Sequence, residues 1–150
     1  MLLNPSRQYI LYLISMALFL AAPLAWAQAP VTIIDKVSLD FGVIANENGT
    51  CKMSSAGVLT GVNGQTCTGT GALAEFQING EKNYVVSILV AGSTRNGVTL
   101  SPFVVGGSSK VIAKNGRLTI KIHGDLTLNN VPPAGTGSTN VSYLVSVNYN

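Results

Sequence analysis

The chain has 150 residues, of which 10% are charged and 47% hydrophobic, with nine Lys or Arg against six Asp or Glu. So mild a basic excess calls for no nucleic acid. A single His and two Cys leave little material for a metal or redox centre.

The first 27 residues read as a leader. Arg7 gives a positive n-region, Tyr9 to Ala22 an almost uncharged apolar run, and Ala25-Trp26-Ala27 a small-x-small cleavage site. A membrane anchor is the rival reading, but the run falls short of the ~20 residues a span requires, and Pro23 breaks it. Cleavage after Ala27 is expected, leaving residues 28–150 as one domain with a short arm at 28–36. No Cys stands directly after the cleavage site and no second long apolar run occurs. Export through the inner membrane is therefore expected, to the periplasm, cell surface or an extracellular fibre, without membrane insertion afterwards.

Five Asn-Gly pairs punctuate the mature sequence between short runs rich in Val, Ile, Thr, Leu and Tyr, and no sustained 3.6-residue repeat appears. A first strand is predicted at Val37–Val43, then a Gly/Thr/Ser-rich stretch with a short strand at Gly57–Thr60. Leu73–Ile78 and Tyr84–Val90 read as the arms of a hairpin, the second buried on both faces. Val98–Leu100 and Phe103–Val105 form an interrupted strand in which Pro102 marks an edge or a bulge. Val111–Ala113 and Leu118–Ile122 flank Lys114-Asn115-Gly116 as the clearest hairpin, and Leu126–Leu128 follows. Residues 132–137 form a loop into the final strand. Seven to nine short strands without helices predict an all-β, immunoglobulin-like two-sheet sandwich.

In that final strand Val141, Tyr143, Val145, Val147 and Tyr149 share one face of a sheet, by the period of two. Burying all five would contribute up to about 15 kcal/mol, so something has to cover them. The edge beside this strand is either closed by the chain itself or left open for a partner.

Cys51 and Cys67 are expected to form a disulfide in an oxidising compartment, stabilising the domain by about 3 kcal/mol. Catalytic chemistry finds no constellation. His123 is the only His, no nucleophile motif accompanies it, and the six carboxylates are scattered. No cofactor or metal is expected, and no enzyme. Lys110, Lys114, Arg117 and Lys121 form the one basic cluster, either a patch for an acidic surface polymer or an edge hairpin guarded by cations.

The chain resembles a secreted bacterial family, domain of unknown function 4402. The residues that carry the resemblance are Leu39-Asp40-Phe41-Gly42, Phe76 to Glu81, Tyr84 to Ile88 and Val145 to Tyr149. They span nearly the whole mature chain, and the family implies a fold without an assigned activity.

A looser similarity is to subunits of pili assembled by the chaperone and usher pathway. The shared features are the leader, the all-β body, one disulfide, Gly137, and an alternating terminal strand with Tyr149 penultimate. This likeness implies a sandwich open beside its last strand, filled by a periplasmic chaperone and then by the N-terminal arm of another subunit. Val31 and Ile33 are the arm's apolar positions, although Ile34 and Asp35 make it short and imperfect. Two functions follow as alternatives. One is a structural subunit of a surface fibre or matrix, whose partners are copies of itself or related subunits, a chaperone and an outer-membrane usher. The other is a secreted, non-catalytic binding module for a surface carbohydrate or anionic polymer.

Overall fold

Side chains that alternate between apolar and polar can only be buried on one face of a sheet, and two such sheets then close on each other. A computed structural model, describing residues 28–130 and 141–150, has this arrangement. Among the described residues there are twelve strands and no helix. They are β1 (Thr32–Val37), β2 (Val43–Ile44), β3 (Gly49–Met53), β4 (Leu59–Val62), β5 (Cys67–Thr68), β6 (Ala74–Asn79), β7 (Val85–Gly92), β8 (Thr94–Arg95), β9 (Val98–Val104), β10 (Ser109–Val111), β11 (Arg117–Leu128) and β12 (Tyr143–Tyr149). Nine of them are three residues or longer. The expected leader and the expected loop at 132–137 lie outside the described residues.

The spine is β11. Its first half pairs with β6, from Arg117 opposite Asn79 to Ile122 opposite Ala74. Its second half pairs with β3, from Asp125 opposite Lys52 to Leu128 opposite Gly49. Because Ile122 and Asp125 also face Val104 and Ser101, β9 must run along the other edge. Adding β1 beside β6, β4 beside β3 and β8 beside β9 makes a curled seven-stranded sheet. A smaller sheet in the order β10-β7-β12 lies against it, and β2 pairs with β5 alone.

The main core lies between the two sheets. Phe76, Ile78, Ile120 and Ile122 come from the large sheet, while Val86, Ile88 and Val147 answer them from the small one, with Ile112 beside β10. A second cluster of Phe41, Cys51, Met53 and Leu100 fills the curl. Cys51 and Cys67 are bonded, with Cα atoms 6.0 Å apart, and so tie β3 to β5 beside that second core.

The architecture is the expected all-β sandwich, but several local connections differ from the sequence reading. Residues 37–43 do not form one strand, because Asp40 Oδ1 accepts a hydrogen bond from Gly42 N–H at 2.8 Å and Gly42 adopts φ +63°. That turn leaves Asp40 with a single bridge to Ala72. The first strand is instead Thr32–Val37. β6 and β7 do not form a hairpin, since residues 80–84 carry the chain from one sheet to the other. The same holds at Lys114-Asn115-Gly116, where the tight turn is present (Ala113 N–H to Arg117 C=O, 3.1 Å) but its arms diverge into different sheets. In both places a flat hairpin would keep two apolar faces in one sheet, whereas crossing lets them meet across the core. β7 buries only one face, with Val86 and Ile88 inward and Val85, Ser87 and Leu89 outward. Asn96-Gly97 does form the expected two-residue hairpin, both residues at positive φ, between β8 and β9. Pro102 lies within a continuous β9, at a position where only β11 is alongside.

Ile78 is fully buried and Leu89 is 67% exposed. Urea unfolding should therefore show Ile78→Ala losing about 3 kcal/mol to the lost contacts and the cavity. Leu89→Ala should stay within about 0.5 kcal/mol of the parent.

Candidate functional site

A strand has two edges, and β12 uses one. Asn150 N–H donates to the Val85 carbonyl at 3.1 Å, and the register runs from Tyr149 opposite Val86 to Tyr143 opposite Gly92. In an antiparallel ladder the bonding residues alternate. Asn148, Ser146 and Leu144 therefore direct their peptide groups at β7, while Tyr143, Val145, Val147 and Tyr149 direct theirs at the opposite edge. No described strand pairs with that edge. β1 is likewise an edge of the large sheet, paired only with β6.

These two edges, one from each sheet, flank a groove with two widenings. One, of 390 Å³, is lined by Ile33 and Asp35 from β1, Leu39, Phe76, and Val141, Tyr143 and Val145 on the β12 side. The other, of 340 Å³, lies between residues 28–31 and Val147 to Tyr149. Burial along β12 is graded accordingly. Val147 is buried, Tyr143, Val145 and Tyr149 are half-buried, and Leu144 on the outer face is exposed.

Two phenols bridge the open side. The Tyr149 hydroxyl donates to the Ala29 carbonyl at 2.8 Å and accepts from the Glu81 N–H at 2.6 Å, and its ring stands edge-on to Tyr84. Glycine at position 80 permits this, because a Cβ there would lie 2.5 Å from the Tyr149 oxygen. At the other end, Tyr143 packs edge-on to Phe76 with centroids 6.2 Å apart. Burial pushes its phenol above the ordinary 10.0, the Asp35 charge adds to this, and a hydrogen bond with the Leu39 backbone works the other way.

The residues singled out in the sequence fall as follows. Val145, Val147, Tyr143 and Tyr149 pack on the main core, and Val141 on the second. Val31 packs on the main core, while Ile33 is 37% exposed and lines the groove. Residues 32–36 of the expected arm lie in β1, which pairs with β6 of its own chain. The four basic residues do not share a face. Lys110 stands opposite Val86 in the small sheet and donates to the Gly106 carbonyl, whereas Arg117 and Lys121 lie opposite Asn79 and Glu75 in the large one. His123 Nδ1 lies 2.8 Å from the Met53 carbonyl, a structural link from β11 to the end of β3. Among the described residues no three His, Cys, Asp or Glu side chains converge where they could hold a metal ion.

Asp35, Leu39 and Phe76 are groove residues that the sequence reading did not place at the site. Asp35 carried a signal, since it shares the parity of Val31 and Ile33 and so places a carboxylate where an apolar residue is expected.

Because the folded Tyr143 phenol holds its proton above pH 10.0, the unfolded chain ionises first as pH rises, and stability falls through that window. Tyr143→Phe removes this contribution. Its stability, followed by urea midpoints, should fall less steeply above pH 10 than the parent's.

No curated protein matches the chain, and no solved structure does. A family model described as a domain of unknown function (DUF4402) matches residues 31–149. That span takes in every strand described above and both clusters of the core, and the chain belongs to this family.

Proposed function

We propose that the protein is an exported structural subunit of a surface fibre or matrix, which assembles by accepting a strand from another subunit along β12. The observation that carries this reading is the unpaired edge of β12, whose outward peptide groups border a groove with an apolar floor. Added strands bind such edges through main-chain hydrogen bonds and alternating side-chain pockets. Natural edges are usually blunted by lysine, proline or a bulge, and residues 141–150 contain no charged residue and no proline. A periplasmic chaperone and an outer-membrane usher are the partners such assembly calls for.

The donor in this reading is the segment 28–36, with Val31 and Ile33 as its anchors. Donation requires β1 to leave β6. Ile33, Ile34 and Val37 are 37% to 43% exposed and Val31 packs on the main core, so release uncovers apolar surface that the arm has to bury again on its acceptor.

Two proline substitutions test the acceptor. Val145→Pro removes an N–H from the open edge and should abolish assembly with the sandwich intact. Ser146→Pro removes one from the β7 ladder and should destabilise the fold by about 3 kcal/mol. Deleting residues 28–36 tests the donor. Electron microscopy and sedimentation of the mature protein should show filaments that the deletion and Val145→Pro both lack, while both variants keep the cooperative urea transition of a folded domain. A mature chain that stays monomeric at every concentration and takes up no added arm peptide would sink the proposal.

A further inference from the structure

We infer that each subunit keeps its own arm fastened across one end of its groove, and that a strand entering along β12 frees that arm for the next subunit. The inference rests on the strand-accepting reading above and supplies its control.

Residues 28–31 precede the β1 ladder, whose first pair is Thr32 with Asn79. Two contacts fasten them: the Tyr149 hydroxyl donates to the Ala29 carbonyl at 2.8 Å, and Val31 packs on the main core. The phenol is itself held in place. It accepts from the Glu81 N–H at 2.6 Å and stands edge-on to Tyr84, both on the segment that crosses between the sheets. A paired strand frays from its free end, and in the exported chain Gln28 is that end. The inner end of the same ladder is irregular, with a register shift between Asp35 and Val37. Tyr149 thus closes the end from which β1 would peel.

The same clasp lies in the path of an incoming strand. Val147 and Tyr149 direct their peptide groups at the open edge of β12, and residues 28–31 form the opposite wall of the space beside them. A strand that pairs along the whole of β12 takes that space, displaces residues 28–31 and breaks the bond from Tyr149 to Ala29. Arm and incoming strand therefore exclude each other, and each weakens the hold of the other by the same factor. A subunit with an empty groove retains its arm, and one with a filled groove offers it. Growth then proceeds from subunits already joined, while isolated ones are kept from pairing.

Hydrogen exchange of the mature protein, at a concentration where filaments are absent, tests this. The probe is a synthetic peptide of residues 28–37 whose heavy isotopes set it apart by mass from the protein's own arm. Saturating peptide should speed exchange at residues 31–34 of the protein about tenfold and leave the β6–β11 ladder protected. Tyr149→Phe takes one hydrogen bond from the arm, so without peptide it should speed the same amides about fivefold, and it should bind the peptide about fivefold more tightly. Glu81 N–H loses its acceptor in that variant whether the arm is fastened or free, so this loss cancels from the comparison. Peptide that binds while the protein's own arm keeps its protection would overturn the inference and leave the strand-accepting reading standing, and this measurement needs no variant. Unchanged arm exchange in a folded Tyr149→Phe protein would overturn it too. No uptake of the peptide would overturn the strand-accepting reading and the control with it.

Discussion

β7 can satisfy one edge of β12 and no more. The alternation of an antiparallel ladder divides the peptide groups of β12 in two, and the half belonging to Tyr143, Val145, Val147 and Tyr149 faces away from β7. Their side chains meanwhile point into the core. A single strand thus anchors the small sheet through its side chains and offers a template through its backbone. The opening is placed where the two sheets part, because β1 and β12 are the edge strands of different sheets. Tyr149 and Tyr143 hold the ends of that opening, and the apolar stretch between them is left without a strand.

The two outer faces of the sandwich contrast in the same sense. The large sheet carries Glu75, Lys121 and Arg117 on its outside, within a field of Gln, Asn and Thr. The outside of the small sheet presents Val85, Leu89, Val111 and Leu144, 40% to 67% exposed, with serines between them. Its β12 edge and its outer face therefore both lack the charges that usually keep sheets apart.

How much of this was legible depends on which physical signal each residue carries. Period-two alternation was enough for β12, whose shared face packs on the core, but not for β7, which was read as buried on both faces and buries one. Alternation could not say which sheet a strand joins, because parity fixes a face and not a neighbour. The β6–β7 and β10–β11 connections were accordingly misread as hairpins. The turn at Asp40–Gly42 was hidden by good alternation through Val37, Leu39, Phe41 and Val43, where a local side-chain hydrogen bond overrides strand propensity. At the site, the β12 residues were legible from sequence. The opposite wall was not, because Asp35, Leu39 and Phe76 come together only through pairing with β6 and packing against Tyr143.

β11 has a consequence for the order in which the chain can fold. It is the only strand that pairs with β3, β6 and β9 alike, and it comes after all of them in the chain. As the polypeptide emerges from its N-terminus, β3 and β6 must wait for residues 117–128 before either finds its central partner. Loop closure over such separations is slow compared with forming a local hairpin. Until β11 arrives, the apolar faces of Phe76 and Ile78 have no sheet to complete, and the nascent domain carries several open edges at once.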